Sequence, residues 1–320
     1  MKGLITILSL LLALAFAASL LAGRVWIPPV ELFSGNHLAS LIVMDIRLPR
    51  TLLALLMGAS LGLSGAVLQG LTRNPLAEPG LLGVATGAAL GAVIAIYFGF
   101  TAISIVAGPL FGLLGAVGAC ALTFGLGRGG TIALILAGAA VSSLTAAGIA
   151  LALNFAPNPY AAYEIMSWLL GSLADKSWSQ VVLVLPFVLI GCALLAVTGR
   201  ALDALSLGEA QAESLGVDLG RLRLTVIAGT ALAVGAATSV TGAIGFIGLV
   251  APHLARPFAG YQPGRILLPA ALGGALLLIL ADIAVREIHL GPEIKLGVFT
   301  SLIGTPFFFW LVVRLRKLAP

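Results

Sequence analysis

The sequence predicts an all-α integral membrane protein of about ten transmembrane helices, from its hydropathy, its low charge and its length. Of the 320 residues, 60% are hydrophobic and only 9% are charged, and the mean hydropathy is +1.14. A soluble globule of this size needs more polar residues to cover its surface. Because a helix needs about 20 residues to cross the hydrocarbon core, the chain has room for about ten crossings.

Glycine content and net charge fit this class. The 40 glycines would destabilise helices in water, but in a bilayer small residues let helix backbones approach closely. The net charge of +5 comes from basic residues at the ends of apolar runs. There they set topology, so no nucleic-acid partner is expected.

The apolar runs between charged or proline-containing breaks predict one transmembrane domain over residues 1–320. The first run could be a cleavable signal peptide, but its length of about 20 residues favours a retained helix. The eighth run is too short to span unless its flanks join it. The predicted helices lie near 4–23, 48–70, 81–99, 102–126, 132–153, 180–199, 224–243, 246–258, 266–285 and 296–313.

The basic residues predict the orientation. With a cytoplasmic N-terminus, eleven of the 17 basic residues lie inside, so the positive-inside rule places both termini in the cytoplasm. The inside residues are Lys2, Arg73, Arg128, Arg200, Arg221, Arg223, Arg256, Arg265, Arg314, Arg316 and Lys317, and the outside ones are Arg24, Arg47, Arg50, Lys176, Arg286 and Lys295.

Three arginines, Arg47, Arg50 and Arg286, are predicted at the outer ends of the second and ninth helices. Their planar forks suit carboxylates, so they could dock an acidic protein, or they could anchor helix ends at the interface. Asp282 lies one turn before Arg286 in an apolar run. An i,i+4 ion pair is the simpler explanation of Asp282, and a proton relay, which neutralisation would abolish, is the alternative.

Two proline-containing stretches interrupt the apolar runs. One holds Asn74 and Pro75, and the other holds Pro252 and His253 after a glycine-rich run. Non-helical backbone at membrane depth is tolerated beside a cavity, so the first stretch is predicted to lie against a pathway, with a plain cytoplasmic turn as the alternative. For the second stretch, a structural or pathway-gating role is predicted. A lone histidine without HExxH is weak evidence for catalysis, and no catalytic residue is expected.

The longest inner loop, 200–223, is predicted to carry a short amphipathic helix between Leu205 and Gly216 that docks into a soluble partner. Leu205, Leu207 and Leu215 would form its apolar side, and Glu209 and Glu213 another side. An idle surface helix is the alternative.

Nucleotide and metal sites are not expected within the chain. No lysine follows a glycine, so the GxxxxGK[ST] phosphate loop is absent. Cys120 and Cys192 lie in separate apolar runs without metal-ligand spacing, and we interpret them as buried apolar side chains.

A shift of 177 positions suggests an inverted repeat of the kind found in many transporters. It aligns the second predicted helix with the seventh, which would run in the opposite direction. Such a repeat leaves an ion-coupled secondary transporter open as an alternative function. The aligned pairs are Gly58 with Gly235, Ala59 with Ala236, Gly65 with Gly242, Ala66 with Ala243 and Pro75 with Pro252.

Five ordered motifs give the chain a family resemblance from its first span to its last. It resembles the FecCD permeases, the membrane subunits of binding-protein-dependent importers of iron-siderophores, haem and cobalamin. The motifs are Arg47-Leu-Pro-Arg50, Ser64-Gly65-Ala66 with Gln69, Asn74-Pro-Leu-Ala-Glu-Pro79, Gly248-Leu-Val-Ala-Pro-His253 and Gly304-Thr-Pro-Phe307.

The resemblance implies the fold of the cobalamin importer's permease, that of a type II ABC importer, in the bacterial inner membrane. It implies a permease homodimer with the pathway at its interface, two cytoplasmic ATPase subunits that bind ATP and Mg²⁺, and a periplasmic binding protein. The chain itself would be a transport subunit rather than an enzyme, with no cofactor of its own. Neither motif nor spacing distinguishes siderophore, haem and cobalamin as the substrate.

The resemblance also implies roles for particular residues. Arg47, Arg50 and Arg286 would receive carboxylates of the binding protein, Thr131 would stand at a cytoplasmic gate, and 154–178 would hold a short helix near the outer mouth. The segment that couples the permease to the ATPase would comprise Leu207, Gly208, Glu209, Ala210, Glu213, Leu215 and Gly216.

Overall fold

The computed structural model describes residues 1–23, 25–28, 30–31, 37–288 and 293–316, which form helices and connecting turns without a β-strand. Arg24 and Lys317, used above to predict orientation, lie outside these ranges. Ten helices correspond to the ten predicted ones. They are α1 (Lys2–Leu21), α2 (His37–Thr72), α3 (Val84–Tyr97), α4 (Ala107–Leu126), α5 (Thr131–Asn154), α6 (Trp178–Ala196), α7 (Leu219–Thr241), α8 (Ile247–Ala255), α9 (Pro263–Glu287) and α10 (Leu296–Arg316).

Short helices connect several of these spans. They are Pro79–Leu82 and Arg256–Ala259, both 3₁₀, together with Phe100–Ile103, Pro159–Leu169, Gly199–Leu205 and Glu209–Ser214. We call the end of the bundle that carries Arg47, Lys176 and Arg286 the outer end. The opposite end, which carries Arg73, Glu209 and Arg256, is the inner end, after the orientation that the basic residues predict.

Helix length separates full spans from broken ones. Seven helices of the described ranges are long and apolar enough to cross a membrane. The helix α8 has nine residues and is about 14 Å long, so it cannot cross about 30 Å of hydrocarbon alone. The prediction that the eighth span is too short is therefore confirmed.

The helices α2 and α7 form the interior of the bundle. In their most apolar windows, 83% and 78% of residues are buried, against 11% in α1 and 28% in α4, α5 and α6. The surfaces of the outer helices must be covered by lipid or by other protein.

The helix α2 contains a π-helical turn, Ile42–Arg47, between its first α-helical residues, His37–Leu41, and Pro49. Proline has no N–H to donate and its ring crowds the carbonyl four residues earlier, so the backbone ladder widens at this point. Trp178 at the start of α6 holds this turn, because its indole Nε1 donates to the carbonyl oxygen of Met44 at 2.9 Å. The π-helical turn extends α2 beyond the predicted span.

Glycines allow α2 to contact its neighbours backbone to backbone. A Cβ atom on Gly65 would overlap the carbonyl oxygen of Gly248 in α8, and one on Gly58 or Gly62 would overlap carbonyl oxygens of α9. Small residues thus set the distance between these helices, as membrane proteins require when lipid provides no hydrophobic drive.

Replacing Gly65 with alanine is expected to destabilise the protein by roughly 1–3 kcal/mol or more, because α2 and α8 must separate to accept the methyl group. Gly118→Ala in α4 is the matched control, since a Cβ there has no atom within 4 Å. Thermal unfolding in detergent measures both variants. Equal midpoints for the two variants would contradict this packing.

The 177-residue alignment fails at one of its glycine pairs. Gly65 lies within α2, whereas Gly242 ends α7 with a φ of +73° and begins a non-helical stretch. The two glycines meet different requirements, namely close helix contact and a left-handed turn. The repeat remains a prediction at the level of whole helices.

Candidate functional sites

Asp282 lies at the centre of a buried charge cluster at the outer end. Arg50 of α2 donates to it through Nε and Nη2 at 2.9 and 2.7 Å, and Arg286 forms an ion pair with it at 3.1 Å. The predicted i,i+4 pair is therefore confirmed, and Arg50 is a second partner. Arg50 also donates to Glu293 at 3.3 Å. The carboxylate of Asp282 thus joins α2 to α9.

Arginines of the same cluster donate hydrogen bonds to carbonyl oxygens at the end of α1. Arg47 donates to the carbonyl oxygens of Leu20 and Leu21 at 3.0 and 2.6 Å, and Arg286 donates to those of Ser19 and Ala22 at 2.9 and 3.1 Å. The last carbonyls of a helix have no partner within the helix, so the arginines satisfy them. These bonds attach the end of α1 to α2 and α9.

The burial of these arginines corrects one expectation. Arg47, Arg50 and Arg286 are 7%, 8% and 7% exposed, so they are not free outward-facing forks. Charged side chains at this depth are costly unless they are paired, and internal acceptors pair them here. Their docking role stays a prediction. It would require carboxylates of a partner to approach arginines that already pair with acceptors inside the chain.

At the inner end, three residues link α5, α7 and the connecting segment 199–218. Thr131, the first residue of α5, donates its hydroxyl to Glu209 Oε1 at 3.0 Å. Arg223 of α7 donates to the same oxygen at 3.2 Å. We call these three residues the inner triad. It joins the predicted gate residue Thr131 directly to the predicted coupling residue Glu209, two positions that are 78 residues apart.

Two glycines bound the helix Glu209–Ser214, which we call the coupling helix. Gly208 and Gly216 have φ values of +116° and +84°, which residues with a Cβ rarely adopt. Ala212 on its inner side is fully buried. The coupling helix is thus seated on the bundle in a fixed orientation.

The coupling segment differs from the predicted amphipathic helix. Two short helices, Gly199–Leu205 and Glu209–Ser214, replace one helix over 205–216. Leu205 is only 2% exposed and packs into the core, whereas Leu207 and Leu215 are 65% and 64% exposed. The two exposed leucines flank the coupling helix. Within that helix, Ala210 and Glu213 are also exposed. The docking role of this surface stays a prediction.

Three breaks in the helices meet near the outer end. Ser172 N–H donates to the carbonyl oxygen of Thr241 at 2.7 Å, and Gly297 N–H donates to that of Gly171 at 3.2 Å. A Cβ on Gly171 would overlap the backbone of Ala243, so this junction depends on glycine. The non-helical backbone is held by protein and lies beside a cavity.

That cavity is a largely apolar groove of about 620 Å³. One side of α10 contributes its polar groups, Ser301 and Thr305. The other lining residues are Leu169, Leu170, Ala243, Gly245, Gly297, Val298, Leu302 and Pro306. The volume and the largely apolar lining of this groove lie within the range of small-molecule sites in proteins.

A polar cavity of about 290 Å³ adjoins this groove at the outer end. The helix Pro159–Leu169, which falls in the predicted outer segment 154–178, supplies Tyr163, Glu164 and Trp168. Lys176 and Lys295 line the opposite side. Burial lowers the pKa of Lys176, and the nearby charge of Lys295 lowers it further.

The predicted gate residues lie apart from the groove. Asn74 forms a turn by accepting a bond from Leu76 N–H at 2.9 Å, and Pro75 lines a cavity at the inner end. Pro252 lies within α8, and the ring of His253 meets that of Phe307 edge-on at 5.7 Å. None of these residues is among the groove's described lining. Of the predicted gate residues, Thr131 alone contacts the coupling helix within the described ranges.

Comparison with known proteins gives consistent results along the whole chain. A model of the FecCD transport family matches residues 11–314. The chain is 39% identical over 315 residues to the vitamin B12 import system permease protein BtuC of Klebsiella pneumoniae, covering 97% of this chain and 93% of that protein. It is 38% identical over 282 residues to the hemin transport system permease protein HmuU of Yersinia pestis, covering 86% and 84%.

A solved structure extends the similarity to three dimensions. An inward-facing conformation of a metal-chelate type ABC transporter superposes with a TM-score of 0.90 at 33% identity, covering 98% of this chain and all of that one.

Proposed function

The chain belongs to the FecCD transport family, and from this we propose that it carries an iron chelate, either a siderophore complex or haem, or cobalamin across the bacterial inner membrane. It is a multi-pass permease subunit of an ABC importer and works with ATPase and binding-protein partners. ATP and Mg²⁺ are bound by the ATPase subunits. Both termini are cytoplasmic, in agreement with the distribution of basic residues.

A second copy of the chain completes the pathway in this proposal. Exposed apolar residues on α5 and α10, such as Leu136 and Phe309 at 65% each, need lipid or protein to cover them. The groove beside α10 contains Ser301 and Thr305, which lipid would not solvate. A homodimer that closes the groove accounts for both features.

ATP-driven motion reaches the pathway through the inner triad. Closure of the ATPases moves the coupling helix, and Glu209 passes that motion to Thr131 at the start of α5. The helices that line the groove then tilt between outward and inward openings. The groove offers a passage with few polar groups, so substrate choice rests mainly on the binding protein.

Breaking the inner triad is expected to reduce coupling while transport continues. Thr131→Val should raise the number of ATP molecules hydrolysed per chelate transported by about fivefold, because one hydrogen bond contributes about 1 kcal/mol. Glu209→Ala should raise it at least as much, because it also removes the bond from Arg223. The double variant should equal the worse single variant, since both changes break one link. Arg221→Gln is the control, because its ion pair with Asp218 is exposed and lies outside the triad. Additive effects in the double variant would contradict the link.

Partner composition tests the proposed function directly. The tagged chain is extracted gently from its own membranes, and co-purifying proteins are identified and counted by mass spectrometry. We expect a P-loop ATPase at one copy per permease chain, and an absorbing chelate on any accompanying binding protein would identify the substrate. A chain that purifies alone in several detergents, while vesicles still take up solute on an ion gradient, would instead support a secondary transporter.

The pairing of Asp282 argues against the secondary-transporter alternative. Its carboxylate is 0% exposed and engaged by two arginines, so it is poorly placed to exchange protons or sodium with a pathway. The importer proposal needs no ion site in the chain.

A further inference from the structure

A basic cavity of about 310 Å³ opens at the inner end and has no part in the proposed transport mechanism. It lies between the end of α2, the turn after it, the 3₁₀ turn after α8 and the start of α9. Its polar lining consists of Gln69, Arg73, Ser206, Arg256 and Tyr261. The lining therefore contains two guanidinium groups, one amide and two hydroxyls, but no carboxylate.

The charge of the cavity is not compensated within the described part of the chain. Arg256 donates to the amide oxygen of Gln69, and no described carboxylate lies within ion-pair distance of Arg256 or Arg73. The neighbouring Asp203 is already bonded, accepting from Gln262 and from Gly264 N–H at 2.7 and 2.6 Å. A partly buried arginine without an anion is energetically costly, and burial lowers the pKa of Arg256.

Exposed aromatic and apolar side chains lie on the segment that carries Arg256, and one of them, Tyr261, lines the cavity. Leu254, Phe258 and Tyr261 are 48%, 68% and 69% exposed. Aromatic rings beside basic residues at a helix end are typical of the depth of lipid headgroups. This composition fits a segment at the depth of the phosphate groups of the inner leaflet.

We propose that this cavity binds the phosphate of an anionic phospholipid of the inner leaflet, with Arg73 and Arg256 pairing with the phosphate oxygens and the hydroxyl of Tyr261 donating to them. The hydroxyl of Ser206 already donates to the carbonyl oxygen of Asp203 at 2.6 Å. Guanidinium forks match the geometry of phosphate oxygens. Basic pockets between helices on the cytoplasmic side are suited to anionic headgroups. The bound lipid would tie together the ends of α2, α8 and α9, next to the segment that leads to the coupling helix.

The test uses the purified full-length chain in detergent with three probes: phosphatidylglycerol, phosphatidylcholine with the same acyl chains, and inorganic phosphate. Thermal unfolding and native mass spectrometry measure stabilisation and the number of retained lipids. Phosphatidylglycerol should raise the unfolding midpoint of the wild type more than phosphatidylcholine does. The R73Q/R256Q double variant should bind phosphatidylglycerol at least tenfold more weakly and retain about one fewer molecule per chain.

Arg265→Gln is the matched control. Arg265 is exposed in the first turn of α9 at the same end and does not line the cavity, and its substitution removes one of the two positive charges that the double variant loses. It should bind phosphatidylglycerol as the wild type does. Because native mass spectrometry counts lipid on folded molecules only, a less stable double variant still gives a result.

Three outcomes would overturn the proposal. Equal phosphatidylglycerol binding by the wild type and the double variant would show that the arginines do not form the site. Saturation by inorganic phosphate with the same stabilisation would make a free anion the ligand. Unchanged lipid binding with loss of the co-purifying ATPase would assign the two arginines to carboxylates of that partner.

Discussion

Asp282→Asn is expected to destabilise the protein by about 3–5 kcal/mol, because it leaves two buried arginines without their shared carboxylate. Arg50 would keep Glu293, but Arg286 would keep only uncharged acceptors, which are the carbonyl and hydroxyl oxygens at the end of α1 and the backbone carbonyl oxygen of residue 282. The yield of monodisperse protein and the midpoint of unfolding by denaturant measure the loss.

Two further carboxylates on or near α9 give a graded control. Glu293 is partly exposed, with 27% of its side chain accessible, so Glu293→Gln should cost about 1 kcal/mol. Glu287 is exposed and Glu287→Gln should change stability by less than about 0.5 kcal/mol. Adding Arg286→Gln to Asp282→Asn should recover part of the loss, because the second change removes one uncompensated charge. Equal losses of stability in Asp282→Asn and Glu287→Gln would contradict the burial of the charge cluster.

The expected loss of stability in Asp282→Asn changes how transport by this variant must be interpreted. From sequence, neutralising Asp282 separates an ion-coupled transporter, which would stop, from an importer, which would continue. The structure places the main expected loss in folding instead. Uptake must therefore be normalised to the amount of folded protein, and per folded molecule we expect ATP-driven uptake to continue.

Leu207→Glu with Leu215→Glu is expected to reduce ATP-driven transport more than tenfold. Both leucines are about two-thirds exposed beside the coupling helix, so the substitutions should leave stability within about 0.5 kcal/mol of the wild type. A carboxylate in an apolar docking cleft lacks a partner and weakens the complex. Co-purification of the ATPase and uptake per folded permease measure the effect.

Tyr160→Glu is the matched control for this pair. Tyr160 is 86% exposed at the outer end, and the substitution likewise replaces an exposed apolar side chain with a carboxylate. It should retain the ATPase fully. Point substitutions are preferable to deletion of Glu209–Ser214, because Ala212 in that helix is fully buried in the core. Full retention of the ATPase by the leucine variant would contradict the assigned docking surface.

Most of the fold could be predicted because hydropathy is a local property of the chain. Each of the ten observed helices overlaps a predicted run, and the short eighth helix was recognised from its length alone. The exceptions have local causes as well. The π-helical turn before Pro49 lengthened α2, and the turn at Gly208 divided the predicted amphipathic segment.

The candidate sites depended on contacts between distant residues, which no local pattern reports. Arg50 and Asp282 are 232 positions apart, so the sequence indicated two charged helix ends but not the ion pair between them. The hydrogen bond between Thr131 and Glu209 could not be predicted either, because the two residues are 78 positions apart. The arginines were expected to be exposed because they are charged and terminal, whereas the unsatisfied carbonyls of α1 and two acidic side chains made burial favourable.

Energy coupling in a reconstituted system tests the central claim most directly. The permease, purified with its ATPase, is placed in liposomes that contain ATP or a non-hydrolysable analogue, and binding protein loaded with cobalamin, haem or a ferric siderophore is added outside. We expect uptake of one of these chelates that requires hydrolysable ATP and persists when proton and sodium gradients are abolished. Uptake that is driven by an imposed ion gradient and does not depend on ATP would contradict an ATP-driven importer.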